Sequence, residues 1–174
     1  MAEKTPYETL KAAIEAYGEA AMENFLRCRA LGHAVAEGFD SYLEAPEPAV
    51  ALVPPQGPFD PSQEYGDAAF SYDPKQPIRL EPIAFGISVT VPNVEDSGSL
   101  WIRTGIKVEV KDDRFEIFIA NQPRLRLPLD FEGKLQPVYE TLMAEFLHLF
   151  RHELADFGDA RYQNRIGFVP TMPK

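Results

Sequence analysis

The residues whose types and spacing could bind a metal lie in the stretch EFLHLFRHE, residues 145–153. On an α-helix, Glu145, His148 and His152 share one side because they are three and four residues apart. Imidazole nitrogens and carboxylate oxygens are ligands that zinc and other divalent transition metals accept. The pattern gives one hypothesis, a metal-binding protein or metal-dependent enzyme that uses these three residues. The alternative is structural, since positive side chains also stabilise the C-terminal end of a helix.

These three residues supply only part of a metal site. In the helix motif of zinc proteases a glutamate follows the first histidine directly, whereas this chain has Leu149 there. A further ligand would have to come from His33, Cys28 or an acidic group elsewhere. Cys28 itself is interpreted as a core residue, because a nucleophilic cysteine requires an electropositive and partly open environment.

The bulk composition narrows the class of protein. The chain of 174 residues is 45% hydrophobic and 25% charged, as in ordinary globular domains. Its net charge of −10 disfavours nucleic acid as a partner. No apolar stretch approaches the roughly 18 residues of a membrane helix, and no signal peptide is recognised, so we expect no membrane partner. The single cysteine favours a cytoplasmic location.

Residues 1–44 are expected to form one long amphipathic helix. The segment Thr5–Glu8 matches a capping box with proline in the first turn. Heptad spacing then relates Tyr7, Leu10, Ile14, Tyr17, Ala21, Asn24, Cys28, Leu31 and Val35. A break near Gly32 or Gly38 is the alternative, because glycine weakens a helix by about 1 kcal/mol relative to alanine.

Residues 45–77 differ from the rest of the chain because they hold eight of its 16 prolines. A helix does not tolerate that density of proline. Large apolar residues, which disordered linkers seldom contain, are also present here. They are Val50, Leu52, Val53, Phe59, Tyr65, Phe70 and Tyr72. We therefore expect an ordered, extended arm that packs on its own subunit or on a neighbouring one.

Four runs of alternating apolar residues between positions 83 and 129 predict an antiparallel β-meander. A two-residue loop at Asp112-Asp113 would place Val108 opposite Ile117. A three-residue loop at positions 121–123 would place Ile117 opposite Leu127. Both loops keep the apolar residues on one face of the sheet, whereas a slip by one residue would turn them outward.

The predicted fold class is α+β. It has a long N-terminal helix, a four-stranded antiparallel β-meander and a C-terminal helix over residues 133–157, in two-layer packing. Residues 78–174 hold the meander, the second helix and a tail that could add an edge strand. Together with the helix at 1–44 and the arm at 45–77 they are expected to form one structural domain.

The outward face of the predicted sheet combines aromatic rings with clustered positive charge. Its members are Trp101, Arg103, Lys107, Arg114, Phe118, Arg124 and Arg126. Such a face could bind an acidic peptide, a phosphorylated ligand or a single nucleic acid strand. Alternatively the proline-rich arm, whose stretch 44–77 has a net charge of −5, or a second subunit would cover it.

The absence of the common catalytic motifs favours a non-enzymatic protein that binds partners or assists assembly. We expect a homodimer through the N-terminal helix and a protein or peptide partner on the sheet face or the arm. An enzyme whose site is assembled from the arm and the helix ends is a weaker alternative. Several groups of partner-binding bacterial proteins, including secretion chaperones, are also small, acidic and of the α+β class. This similarity concerns general properties, and a shared fold class does not establish a function.

Overall fold

A computed structural model of the protein describes residues 2–71, 79–92, 98–155 and 165–170, with the side chains of 152–155 and 170 left out. It contains two α-helices, six β-strands and a short 3₁₀ helix at Gly66–Ala69. The elements are α1 (Pro6–Leu43), β1 (Val50–Val53), β2 (Ile83–Pro92), β3 (Gly98–Lys111), β4 (Arg114–Ile119), β5 (Leu125–Pro128), α2 (Gln136–Ala155) and β6 (Ile166–Pro170).

The first helix, α1, begins with the expected capping box. The amide of Glu8 donates to Thr5 Oγ1 at 3.1 Å, and the amide of Thr5 donates to Glu8 Oε2 at 2.8 Å. The helix is continuous through Gly32 and Gly38, so the alternative of a break there is wrong. A Cβ on Gly38 would collide with the Tyr139 side chain, so this glycine allows close packing of the two helices.

The sheet is antiparallel throughout and has the strand order β1-β2-β3-β4-β5. The predicted four-stranded meander forms β2 to β5. The arm adds β1 at one edge, and the tail adds β6, which pairs with Gly98–Ile102 of β3. The other half of the same edge of β3, Ile106–Lys111, pairs with β4. Residues 72–77 of the arm, residue 78 after it, and residues 156 and 157 of the predicted second helix lie outside the described residues.

The register around Asp112-Asp113 is confirmed, because Val108 lies opposite Ile117. Both aspartates have positive φ angles, 52° and 58°, as a two-residue type I′ turn requires. The prediction for the next loop is wrong, since Ile117 lies opposite Leu125, two residues from the expected partner. This loop runs from 120 to 124 and contains a tighter turn in which Gln122 N donates to Ile119 O at 2.9 Å. A shift by two residues keeps the same face buried.

The core lies between the sheet and the two helices. Alternate residues of β2, β3 and β4 share one apolar cluster with buried residues of both helices. The ring of Phe39 on α1 stacks on that of Phe146 on α2 at a centroid distance of 5.9 Å, which joins the two helices over the sheet. Within the described residues, no helix is long and apolar enough to cross a membrane.

Candidate partner-binding surfaces

Glu145 of the candidate metal group occupies a buried position between α2 and the sheet, with 1% of its surface exposed. Its Oε1 accepts a hydrogen bond from Arg165 Nη2 at 2.7 Å, and its Oε2 accepts one from Gln122 Nε2 at 2.9 Å. A metal ion at this carboxylate would have to displace a guanidinium and an amide. The arrangement is that of a buried ion pair with an added hydrogen bond.

The other members of the metal hypothesis are not brought together with Glu145 into a complete ligand set. His148 is partly exposed, and the side chain of His152 lies outside the described residues. His33 Nε2 lies 3.5 Å from Asp67 Oδ1, while Cys28 is buried on the inner side of α1. In the part of the chain that the structure describes, no three His, Cys, Asp or Glu side chains could hold a metal ion. The metal site stays a prediction.

The buried ion pair also includes residues that sequence reasoning missed. Arg165 Nη2 donates to Thr104 Oγ1 at 3.2 Å, and Arg165 O accepts from the amide of Arg103 at 2.7 Å. Thr104 interrupts the row of apolar inward residues on β3, between Ile102 and Ile106. A polar residue at an inward position requires a buried partner, so this interruption was the available signal.

The proline-rich arm covers one end of the outward sheet face. Arg103, which we predicted as part of a binding face, is only 2% exposed. Its Nη1 donates to Pro54 O at 3.0 Å and its Nη2 donates to Gly57 O at 2.8 Å. The guanidinium also lies 4.3 Å from the centroid of the Phe59 ring. Burial lowers the pKa of Arg103 below its ordinary value, and these contacts compensate for the lost hydration of the cation.

Phe59 fixes the arm on the sheet through a second aromatic contact. Its ring meets Trp101 edge-on at a centroid distance of 4.6 Å. On the other side of Trp101, Gly167 of β6 packs so closely that a Cβ there would overlap the indole. The alternative in which the arm covers the sheet face therefore holds for Trp101 and Arg103, which face the chain's own arm.

The remaining predicted residues of the sheet face stay accessible. Lys107 places its Nζ 4.7 Å from the centroid of the Phe118 ring. Arg124 Nη1 lies 3.5 Å from Glu116 Oε2, and Arg126 Nε lies 3.3 Å from Glu116 Oε1. The two arginine side chains retain 44% and 55% exposure, while Glu116 is buried beneath them. Arg114 is exposed at the hairpin end of β4.

A second accessible surface lies on the N-terminal part of α1. The side chains of Tyr7, Leu10, Ile14 and Tyr17 are 75%, 62%, 63% and 49% exposed; they are called the helix stripe below. At 100° per residue, the helix stripe continues the face that carries the buried Ala21 and Cys28. The same row of residues is therefore covered by the sheet beyond position 20 and uncovered before it.

Comparison with known proteins does not indicate a function for this chain. No family model, curated protein or solved structure matches the chain.

Cys28 gives a test of the core itself. It has no exposed surface, and desolvation raises its pKa from 9.0 to about 12. At pH 8 this lowers its thiolate fraction about a thousandfold. We expect Cys28 to react with a disulfide reagent such as Ellman's reagent only when the protein opens, so that added urea accelerates the reaction steeply. Fast labelling in buffer would contradict this burial.

The same shift gives a pH dependence with a defined sign. The folded-state pKa lies above the unfolded one, so the stabilisation from the neutral thiol is complete below pH 9 and is lost as the pH rises towards 12. By pH 10 the free energy of unfolding should fall by about 1 kcal/mol from this group. The control is Cys28→Ala, which should lose less stability between pH 8 and pH 10 in urea titrations.

Proposed function

We propose that this is a non-enzymatic partner-binding or assembly protein that forms a homodimer through the N-terminal part of α1. One observation carries the proposal: the helix stripe is exposed although it continues a buried apolar face without interruption. Exposed apolar residues that form a continuous stripe are typical of surfaces covered by a partner. A cytoplasmic location and chaperone-like behaviour belong to the same proposal and are supported by the composition only.

The projecting helix has little internal support, although the amide of Leu80 donates to Tyr17 Oη at 2.9 Å. Residues 6–20 are exposed along their whole length and extend about 22 Å at 1.5 Å per residue. A helical segment of this length is marginal in water without packing. Its exposed ion pair, Lys11 with Glu15 at 3.9 Å, contributes at most a few tenths of a kcal/mol. A second copy of the helix supports the segment by covering the helix stripe.

The heptad spacing favours another helix as the occupant. Tyr7, Leu10, Ile14 and Tyr17 are separated by three, four and three residues, which is the spacing of a two-helix seam. The residues that flank the seam include Ala13 and Ala20, whose small side chains allow two helix backbones to approach closely. A symmetric pair of identical stripes is the simplest closed assembly.

The test is sedimentation equilibrium of the wild type and of the double variant Leu10→Glu/Ile14→Glu at protein concentrations from about 5 to 100 µM. We expect a dimer for the wild type and a monomer for the variant, because two buried carboxylates per chain would oppose the seam. Far-ultraviolet circular dichroism should also show less helix in the variant, since residues 6–20 lose their support.

A matched control carries the same charges on the opposite side of α1. Ala12 and Ala16 are exposed and lie away from the helix stripe. The variant Ala12→Glu/Ala16→Glu should therefore remain dimeric. A wild type that is monomeric at the highest concentration, or a control that dissociates as readily as the stripe variant, would contradict the proposal.

A further inference from the structure

We infer that the open part of the outward sheet face binds an extended acidic segment of a protein partner. The open part consists of Lys107, Phe118, Arg124 and Arg126, with Glu116 beneath the arginines; it is called the basic face below. This inference deepens the partner-binding side of the proposed function and does not use the homodimer. The chain has a net charge of −10, so a face that gathers three exposed cations is a local exception.

The geometry of the basic face positions guanidinium groups for carboxylates. Glu116 is 5% exposed and contacts Arg124 through one terminal nitrogen and Arg126 through Nε. Within the described residues, the structure gives the two terminal nitrogens of Arg126 no other partner. A planar guanidinium with both terminal nitrogens open can bind a carboxylate through two parallel hydrogen bonds. Glu109 on β3 lies directly opposite Glu116 and adds a second carboxylate to this face. The three cations Lys107, Arg124 and Arg126 therefore leave an excess of one positive charge.

The spacing of the cations matches an extended peptide. Lys107 lies opposite Phe118, and Arg126 lies opposite Glu116, two residues along β4. Lys107 on β3 and Arg126 on β5 are therefore about 10 Å apart across the sheet and about 7 Å apart along it, which is about 12 Å on the diagonal. In an extended peptide, side chains four residues apart point to the same side and are separated by about 13 Å. Carboxylates at such positions of a peptide that crosses the strands diagonally can therefore meet Lys107 and Arg126 together.

The chain's own arm shows how the other end of this sheet face recognises a peptide. Backbone carbonyls at Pro54 and Gly57 accept from Arg103, and Phe59 packs on Trp101. A bent segment of the arm thus lies on the sheet and is held by an arginine and an aromatic ring. The basic face offers the same two kinds of group, two arginines with half-exposed side chains and the ring of Phe118, over which Lys107 lies.

A peptide fits the basic face better than a nucleic acid strand does. Single-stranded nucleic acid requires open aromatic rings on which bases stack, and Phe118 is half-buried with Lys107 over its ring. A polyphosphate would also meet the overall negative charge of the protein along its whole length. A short peptide places its carboxylates on the basic face alone, within about one Debye length of the cations.

The test is a calorimetric titration with the acetylated, amidated peptide TETETET, whose three glutamates occupy alternate positions. We expect saturable binding with a Kd below about 1 mM at low ionic strength. The Nε–H signals of Arg124 and Arg126 in ¹⁵N nuclear magnetic resonance spectra should shift on binding. The neutral peptide TQTQTQT and a thymidine oligonucleotide with three phosphates are the comparison ligands. Equal or stronger binding of either one would overturn the inference.

The variant Arg124→Gln/Arg126→Gln should weaken binding of TETETET about tenfold or more. Because it leaves the buried Glu116 unpaired, the triple variant with Glu116→Gln should show the same loss while remaining folded. The control Lys11→Gln/Lys134→Gln removes two exposed cations elsewhere and should bind within twofold of the wild type. A control that loses as much affinity as the arginine variants would overturn the inference, as would an absence of binding at 1 mM peptide.

The stripe variant Leu10→Glu/Ile14→Glu separates this inference from the homodimer. It is expected to bind TETETET with the affinity of the wild type after correction for its two added charges, which Ala12→Glu/Ala16→Glu measures. Retained binding in a monomer supports the basic face and leaves self-association to be judged by sedimentation alone. Loss of binding only in the stripe variant would contradict a site contained within one subunit.

Discussion

Replacing Arg165 by methionine is expected to lower the free energy of unfolding by about 3–5 kcal/mol. The substitution leaves the Glu145 carboxylate, which is 1% exposed, without its charged partner. Gln122 alone cannot replace a guanidinium at 2.7 Å, and burying an unpaired charge is far more costly than losing a surface ion pair. Urea unfolding followed by circular dichroism measures the change. The total free energy of unfolding of a domain is commonly only about 5–15 kcal/mol, so this loss would be a large part of it.

The double variant Glu145→Leu/Arg165→Met distinguishes the cost of an orphaned charge from the value of the pair. Apolar replacement of both partners removes the unpaired charge, so most of the lost stability should return. The surface pair of Arg27 with Glu23, at 2.6 Å on α1, is the control. Arg27→Met should change the free energy of unfolding by less than about 1 kcal/mol. Similar losses in Arg165→Met and Arg27→Met would contradict the buried pair.

Two glycines of α1 are expected to respond with opposite sign to the same substitution. Gly38→Ala should lower the free energy of unfolding by about 1–3 kcal/mol, because the new Cβ collides with Tyr139 and must push the helices apart. Gly18→Ala should raise it by about 0.5–1 kcal/mol, because nothing lies within 4 Å of a Cβ there and alanine favours the helix. Thermal unfolding at one protein concentration gives both values.

A double-mutant cycle assigns the Gly38 effect to its contact. In a Tyr139→Ala background the collision is absent, so Gly38→Ala should become neutral or stabilising, as at Gly18. If Gly38→Ala destabilises both backgrounds equally, the close approach of α1 and α2 at this position is not the cause.

Much of the fold could be predicted because local rules specify it. The capping box begins α1 where Thr5 stands, and the turn at Asp112-Asp113 sets the register of β3 with β4. The loop at 120–124 was harder, because a register shifted by two residues satisfies the same apolar alternation. The helix α1 runs through Gly38, where the absence of a Cβ leaves room for Tyr139, about a hundred residues away. The low helix preference of glycine therefore gave the wrong indication.

Of the candidate surfaces, the one set by local spacing could also be predicted, and those set by contacts between distant segments could not. The helix stripe followed from its spacing alone, whereas the pairing of Glu145 with Arg165 depends on how the tail returns to the sheet. The pattern that suggested metal ligands describes α2 correctly as a helix with a polar flank. It could not show that Glu145 on that flank faces Arg165, which directly precedes β6. Likewise, charge alternation placed Arg103 outward, and only the path of the arm shows that it is covered.

The division of one edge of β3 between β4 and β6 has a consequence for the order of folding. β4 follows β3 through a two-residue turn, so its half of the edge closes locally and early. β6 reaches the other half from more than sixty residues away and pays a larger entropy of loop closure. Until β6 docks, the backbone groups of Gly98–Ile102 on the side away from β2 form an unpaired edge that any extended chain could join. The last strand to dock thus also protects the folding protein against aggregation.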